Sequence, residues 1–204
     1  MAKRKKSVKK RGKNEFSIKE NYKFCWNYIK ETKNFIWIIF GIFLVFALLG
    51  FFVPVPSQIS DQLLKYIQEL LGQTAGMNVF QLISFIFLNN SRSSLFGMLF
   101  GIALGIFPVF VALFNGYVLG FVSRRSVNAE GIFILWKLFP HGIFELPAVF
   151  LSLAMGVKLG TSLIDGKGKF KENFYSSLRV FISVVIPLLI IAATIEGTLI
   201  AVLG

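Results

Sequence analysis

The sequence predicts an all-α fold, an integral membrane helical bundle of about five spans, within a range of four to six, with broken or re-entrant helices. Its 204 residues are 55% hydrophobic and 16% aromatic, and 24 of them are Phe. The mean hydropathy is +0.69, above what a water-soluble fold of this size needs. Apolar runs long enough to cross a bilayer recur along the chain.

The formal net charge of +12 is concentrated at one end of the chain. Residues 1–33 hold 12 Lys and Arg against 3 acidic residues. A nucleic-acid-binding domain would spread its basic residues over a polar surface, so we expect no nucleic-acid partner. The sequence divides into a basic cytoplasmic tail with an interfacial helix (1–33) and a transmembrane helical domain (34–204).

The basic tail predicts how the protein meets the membrane. The first thirteen residues contain eight basic residues and no acid, which is typical of a solvated tail. Each Lys or Arg near anionic lipid headgroups contributes about 1 kcal/mol of attraction. The positive-inside rule then predicts a multi-pass protein of the cell membrane with a cytoplasmic N-terminus. Residues 14–33 interleave aromatic residues with Lys and Glu, as an interfacial helix does.

Four apolar segments and one amphipathic segment follow the tail. Residues 35–53 predict the first span, and 57–77 predict an amphipathic helix on the outer surface. The segments 79–122, 132–158 and 178–203 are each long, apolar and interrupted by Pro or polar residues.

The number of crossings made by residues 79–122 decides between four and five spans. With two crossings, the lysines of 158–171 lie inside and Arg124 and Arg125 lie outside; with one crossing these positions exchange. Because basic residues are favoured inside, five spans is preferred. Residues 108–122 are too short for a full crossing, so we expect a broken or re-entrant helix there.

Glycines recur at a spacing of four residues in three segments, which predicts close helix packing. Small residues let helix backbones approach in a bilayer, where no hydrophobic force drives helices together. Contacts within the monomer and a homo-oligomeric face are both open interpretations. The residues are Gly97, Gly101 and Gly105, which would share one helix face, Gly116 and Gly120, and Gly156 and Gly160.

Polar residues at membrane depth form a candidate functional cluster. A charged side chain there costs about 2.5 to 3.5 kcal/mol on insertion scales, so it usually has a partner and a task. We expect one helix to end at Phe139 and another to start near Gly142, either as a satisfied break or as a broken helix lining a polar cavity. The cluster comprises Asn89, Asn90, Asn115, His141, Glu145 and Glu196.

Catalytic motifs are missing from the sequence. It has one His and one Cys, and it contains no HExxH, GxSxG or P-loop in a suitable context. We therefore expect no catalytic residue, no metal ion and no cofactor. One His with two Glu could still ligate zinc, so an intramembrane hydrolase is a minor alternative.

The order of the polar motifs resembles the stage II sporulation protein M family over about residues 35–204. The most specific element is PHGIFELPA at 140–148, supported by Asn115-Gly116 and by AAxIE at 192–196. The resemblance implies a small multi-pass membrane protein. A named member of that family sits in the membrane of spore-forming bacteria with two partners that remodel peptidoglycan.

Three functional hypotheses follow. The first is a non-catalytic scaffold or anchoring component that binds unidentified membrane protein partners. The second is a small channel or ion-coupled transporter with a path lined by Asn, His and Glu. The third is the intramembrane hydrolase. The resemblance transfers the fold and the signature residues, and not a cellular process.

Overall fold

Seven α-helices account for most of the chain that the computed structural model describes, namely residues 17–103, 105–165 and 168–203, without the side chains at 70, 71, 136–141 and 203. The described residues contain no strand, so the all-α prediction is confirmed. The helices are α1 (Ile18–Phe52), α2 (Ser57–Thr74), α3 (Val79–Leu99), α4 (Ile106–Glu130), α5 (Phe139–Ile164), α6 (Phe170–Val180) and α7 (Ile186–Leu203).

Four described helices are long and apolar enough to cross a membrane: Ile18–Phe52, Ile106–Glu130, Gly142–Ile164 and Phe170–Val202. The last is continuous because a π-helical stretch, Phe181–Val185, joins α6 to α7. Four candidate spans lie within the predicted range, and the chain is a multi-pass membrane protein. Helix α3, whose second half carries several polar residues, is not among these four described spans.

Helix α1 runs without interruption through the predicted end of the interfacial helix. We expected a separate helix up to residue 33, but α1 is one helix of 35 residues. No Pro or Gly occurs between Ile18 and Gly41, so nothing in the sequence ends a helix there. The basic tail at residues 1–13 lies outside the described residues.

The break in residues 79–122 lies between α3 and α4. It occurs at Phe100–Ile102, a short 3-10 turn, and at Gly105, whose φ of 73° is a left-handed conformation that favours glycine. Pro108 is the third residue of α4, where its missing N–H costs little. Helix α4 begins before Pro108, at Ile106, and has 25 residues. The expectation of a short segment starting at Pro108 was wrong.

Helices α1 and α4 run parallel to each other. Gly116 lies against Phe43, and Arg124 contacts Phe51; the residue numbers differ by 73 in both pairs. A constant difference means that the two helices have the same direction. The 21 residues of α3, about 31 Å at 1.5 Å per residue, return the chain between them. This path agrees with two passages of the bundle by residues 79–122.

Helix α5 is at the centre of the bundle. Every residue from 150 to 156 is buried, and α5 packs against α1, α3, α4 and α7. Two apolar clusters meet on it. One joins Leu151 and Met155 to α6 and α7, and the other joins Phe150 and Leu153 to α1 and α4. The central position of α5 brings its polar residues next to several other helices.

Candidate functional site

Two of the predicted polar residues come together where α5 packs against α7. Glu145 of α5 and Glu196 of α7 lie close enough for their charges to interact. Ala148, on the same segment as Glu145, and Ala192 and Ala193, before Glu196, are each 0% exposed. Small buried residues allow the close approach that brings the two carboxylates near each other.

The start of α5 determines where Glu145 stands. A 3-10 segment, Ile132–Leu138, leads directly into α5 at Phe139, so the helix begins three residues before the expected start near Gly142. Glu145 is therefore in its second turn, and Pro147 lies inside the helix. The side chain of His141 lies outside the described residues.

The three asparagines of the candidate cluster lie elsewhere. The Asn115 side chain is exposed on α4, and its Nδ2 donates to the carbonyl oxygen of Val111 at 2.8 Å, one turn earlier in the same helix. Asn89 is exposed and Asn90 is half-buried on α3. In the described part of the chain, the interaction seen between two members of the predicted cluster is the electrostatic one between Glu145 and Glu196.

A pair of carboxylates limits the chemistry that this site can carry out. Two carboxylates that interact can share one proton or hold one cation between them. Among the described residues no group of three His, Cys, Asp or Glu side chains lies close enough to hold a metal ion.

The predicted glycines of α4 form the contact with α1. A Cβ atom at Gly116 or Gly120 would lie less than 3.0 Å from the carbonyl oxygen of Phe43 or Ala47. Real Cβ atoms do not approach backbone this closely, so only glycine allows this distance between the helices. Gly50 of α1 makes the reciprocal contact with α4, which the sequence analysis did not select.

The predicted glycine repeat at 97, 101 and 105 is not on one helix, because α3 ends at Leu99. Nevertheless all three residues face α5. A Cβ at Gly101 would overlap the backbone of Gly156, and one at Gly97 would overlap a side chain of α5. Gly105 has ordinary van der Waals contact with α5. The break therefore redirects the chain without removing these residues from the α5 interface.

Two further glycines complete the helix contacts. Gly160 is buried on α5. Gly197 of α7, which was not predicted, lies against the backbone of Ile83 on α3. Apart from Gly160, for which burial alone is seen, the predicted glycines thus lie in contacts between segments of the same chain.

A polar network that the sequence analysis missed joins the start of α1 to α6 and the residues just after it. Asn21 Nδ2 donates to Ser183 Oγ at 3.0 Å, and Arg179 Nε donates to Asn21 Oδ1. The Arg179 guanidinium also lies 4.4 Å from the centroid of the Phe24 ring. Asn21 is 5% exposed, so these hydrogen bonds satisfy a buried amide.

The same face of α1 continues with Tyr28 and Thr32. The Tyr28 hydroxyl and Ser177 Oγ are 2.9 Å apart. Lys158 Nζ of α5 lies 3.7 Å from the centroid of the Tyr28 ring, donates to Thr32 Oγ1 at 3.3 Å, and forms an ion pair with Glu31 at 3.6 Å. Lys158 is therefore held between an aromatic ring and two oxygens.

Residue spacing could have revealed this face. Asn21, Cys25, Tyr28 and Thr32 are separated by four, three and four residues, which puts them on one side of a helix. All four are buried. The mixed polarity of residues 14–33 suggested a helix lying on the membrane surface, but this pattern indicates a packed face.

The comparison with known families agrees with this architecture. The family model described as SpoIIM, Stage II sporulation protein M, matches residues 39–199, most of the chain. This protein belongs to the stage II sporulation protein M family. The predicted resemblance is confirmed, and the matched range of this SpoIIM protein includes both Glu145 and Glu196 as well as the glycine contacts between helices.

One relative of this SpoIIM protein is an uncharacterized protein of Methanocaldococcus jannaschii. The two sequences are 36% identical over 104 residues, which cover 47% of this chain and 47% of the relative. The match therefore spans about half the length of that relative. No solved structure matches the chain.

Proposed function

We propose that this SpoIIM-family protein is a non-catalytic membrane scaffold that anchors partner membrane proteins. The observation that carries the proposal is the contact between helix backbones. Glycines join α4 to α1, the 3-10 turn after α3 to α5, and α7 to α3, at distances where an added Cβ would force the neighbouring atoms to move. Three interfaces of this kind make the bundle a single rigid unit.

Rigid packing favours a scaffold over a carrier on mechanical grounds. Alternating-access carriers rock one group of helices against another around a central site. When a glycine packs against the backbone of a neighbouring helix, sliding one helix along the other replaces the glycine by a larger residue. That residue would clash with the neighbouring backbone. A bundle locked at several places is better suited to presenting fixed surfaces to partners.

The polar face of α2 is the surface that we assign to a protein partner. Helix α2 is strongly amphipathic and lies beside α4, where the rings of Tyr66 and Phe114 are 6.3 Å apart. Leu63 faces inward and is 8% exposed. The opposite face is exposed and carries both signs of charge: Asp61, Lys65, Gln68 and Glu69. Charged groups of both signs can pair with a polar partner surface, which lipid tails cannot do.

Site-specific photo-crosslinking tests this assignment. A photoreactive residue at Lys65 should give a reproducible protein adduct in native membranes. The matched position is Trp37 of α1, which is 68% exposed on an apolar face and should give mainly lipid adducts. The scaffold proposal fails if neither position yields a reproducible protein adduct.

The carboxylate pair provides the test against a transporter. In a scaffold, Glu145→Gln changes assembly or abundance and leaves ion flux into proteoliposomes unchanged. In an ion-coupled carrier, the same substitution removes a flux that the wild-type protein supports. Measuring proton and sodium flux for both proteins separates the two functions.

The proposal also includes an orientation, with the N-terminus in the cytoplasm of the cell and the basic tail against anionic headgroups. It is supported by Lys158 and Arg179, which contact the start of α1, and by Lys169 and Lys171, which follow in the adjoining loop and helix. A Ser7→Cys variant in a Cys25→Ala background tests it. An impermeant maleimide should label this variant in inverted vesicles and not in intact cells.

A further inference from the structure

An open cavity of about 580 Å³ lies where α1 ends beside the C-terminal turns of α4. The linker between α1 and α2, the first turn of α2 and the C-terminal turns of α4 form its walls. Its polar lining is Ser60, Arg124, Arg125 and Asn128, and Phe121 is part of its apolar lining. No acidic residue is among the described residues that line it. The cavity therefore combines two permanent positive charges with an apolar wall.

Both guanidinium groups are held in place by the protein. Arg124 Nη1 donates to the carbonyl oxygens of Phe51 and Phe52 at 2.8 and 3.0 Å, which are the last carbonyls of α1. Arg125 Nη1 donates to Ser60 Oγ at 3.2 Å. A guanidinium has five N–H donors, so each arginine keeps donors that these contacts do not use.

The local charge favours an anion. In the described part of the chain neither arginine forms an ion pair with a carboxylate; the ion pair found there joins Lys158 to Glu31 at the other end of α1. The C-terminal ends of α1 and α4 each carry a partial charge of about −0.5. Together they offset roughly half of the two positive charges, so about one positive charge remains.

We infer that this cavity binds a phosphate group, with Arg125 as the main ligand and Arg124 fixed beside it. A guanidinium fork matches the geometry of phosphate oxygens and can donate two parallel hydrogen bonds. The cavity opens at the ends of two membrane-spanning helices, and Phe121 and Val55 offer apolar surface beside the charges. A phospholipid headgroup fits this combination, and inorganic phosphate is the other source of the same group.

Native mass spectrometry of the full chain in neutral detergent tests the site with phosphatidylglycerol as the probe. Arg125→Gln should weaken the tightest lipid binding about tenfold, because it removes a charge-assisted bidentate contact. Lys65→Gln is the matched control, since it removes the same charge from an exposed position on α2 outside the cavity. It should leave binding at this site unchanged.

Arg125→Lys keeps the charge without the guanidinium fork and should bind with intermediate affinity. If Arg125→Gln and Lys65→Gln weaken lipid binding equally, or if neither does, and if Arg125→Gln also leaves phosphate binding unchanged, the inference is overturned. A second titration with inorganic phosphate identifies the source. Phosphate that binds wild type and not Arg125→Gln, in the absence of bound lipid, supports the site and assigns the free ion as its ligand.

Discussion

The two parts of α1 are held in the bundle by different interactions. The C-terminal part, residues 39–52, lies parallel to α4 and touches it through glycines at backbone distance. The N-terminal part, residues 18–33, contacts α5 and α6 through side chains that donate and accept hydrogen bonds. One helix thus combines an apolar contact that depends on the absence of side chains with a polar contact that depends on their presence.

This difference determines what each contact tolerates. A backbone-to-backbone contact has no free volume, so any added atom must separate the helices. A network of hydrogen bonds loses one bond at a time, each worth about 1 kcal/mol net. The family match begins at residue 39, so it includes the glycine contact and leaves the polar network's α1 residues outside.

The largest expected effect is at the glycine contact. Gly120→Ala adds one methyl group that would overlap the carbonyl oxygen of Ala47. Overpacking of this kind costs about 3 kcal/mol, and the backbone of α1 cannot rotate away as a side chain would. The thermal unfolding midpoint in detergent should fall clearly.

Gly41→Ala is the matched control for this substitution. Gly41 lies in the same helix pair, and a Cβ there has nothing within 4 Å. The unfolding midpoint should stay the same or rise slightly, because Ala forms helix more readily than Gly. Equal losses in both variants would mean that helix packing does not distinguish the two sites.

A smaller effect is expected at the polar contact. Arg179→Met removes the hydrogen bond to Asn21 and the contact with the Phe24 ring, and charged hydrogen bonds are worth about 2 kcal/mol. Cys25 reports this change, because it is the single cysteine and is 1% exposed. Its labelling by a maleimide should become about 30-fold faster if α1 detaches more often by that free energy.

Lys171→Met serves as the control for Arg179→Met, since it removes a charge from an exposed position of α6. Its labelling rate at Cys25 should match that of the wild type. If Arg179→Met lowered the unfolding midpoint as much as Gly120→Ala, the two parts of α1 would not be held independently.

The smallest expected effect is at Tyr28. Tyr28→Phe removes the hydroxyl that pairs with Ser177 and donates to the carbonyl oxygen of Asn173, and it keeps the ring beneath Lys158. The loss of the buried hydrogen bond with Ser177 is worth about 1 kcal/mol and should speed Cys25 labelling by at least about fivefold. Tyr22→Phe, at an exposed position of α1, should leave the rate unchanged. Similar rates for both variants would show that the Tyr28 hydroxyl contributes nothing.

Residues whose role depends on local spacing could be predicted from the sequence. The repeats at Gly116 and Gly120 and at Gly156 follow a fixed interval, and small residues at that interval pack closely in a bilayer. The polar face of α1 follows an equally regular interval, from Asn21 to Thr32. It was missed because aromatic and basic residues around it favoured a surface helix.

Contacts between distant segments required the structure. Glu145 and Glu196 are 51 positions apart, and their spacing does not predict that their charges interact. Nor does the sequence predict that the Asn115 side chain donates to its own helix. The position of the break between α3 and α4 also depended on packing. The chain turns at Gly105, whose backbone packs closely against α5. Pro108 does not break the helix, because it lies in the first turn of α4.

The sequence by itself determined that the protein is helical, multi-pass and basic at its N-terminus, because composition and hydropathy follow directly from the order of residues. It also determined the family, through motifs of a few residues. The tertiary structure decided that α1 and α4 are parallel, that Glu145 and Glu196 lie close enough for their charges to interact, and that Arg124 and Arg125 line one cavity. These facts depend on which helix faces which, a choice made by packing across the whole bundle rather than within any segment.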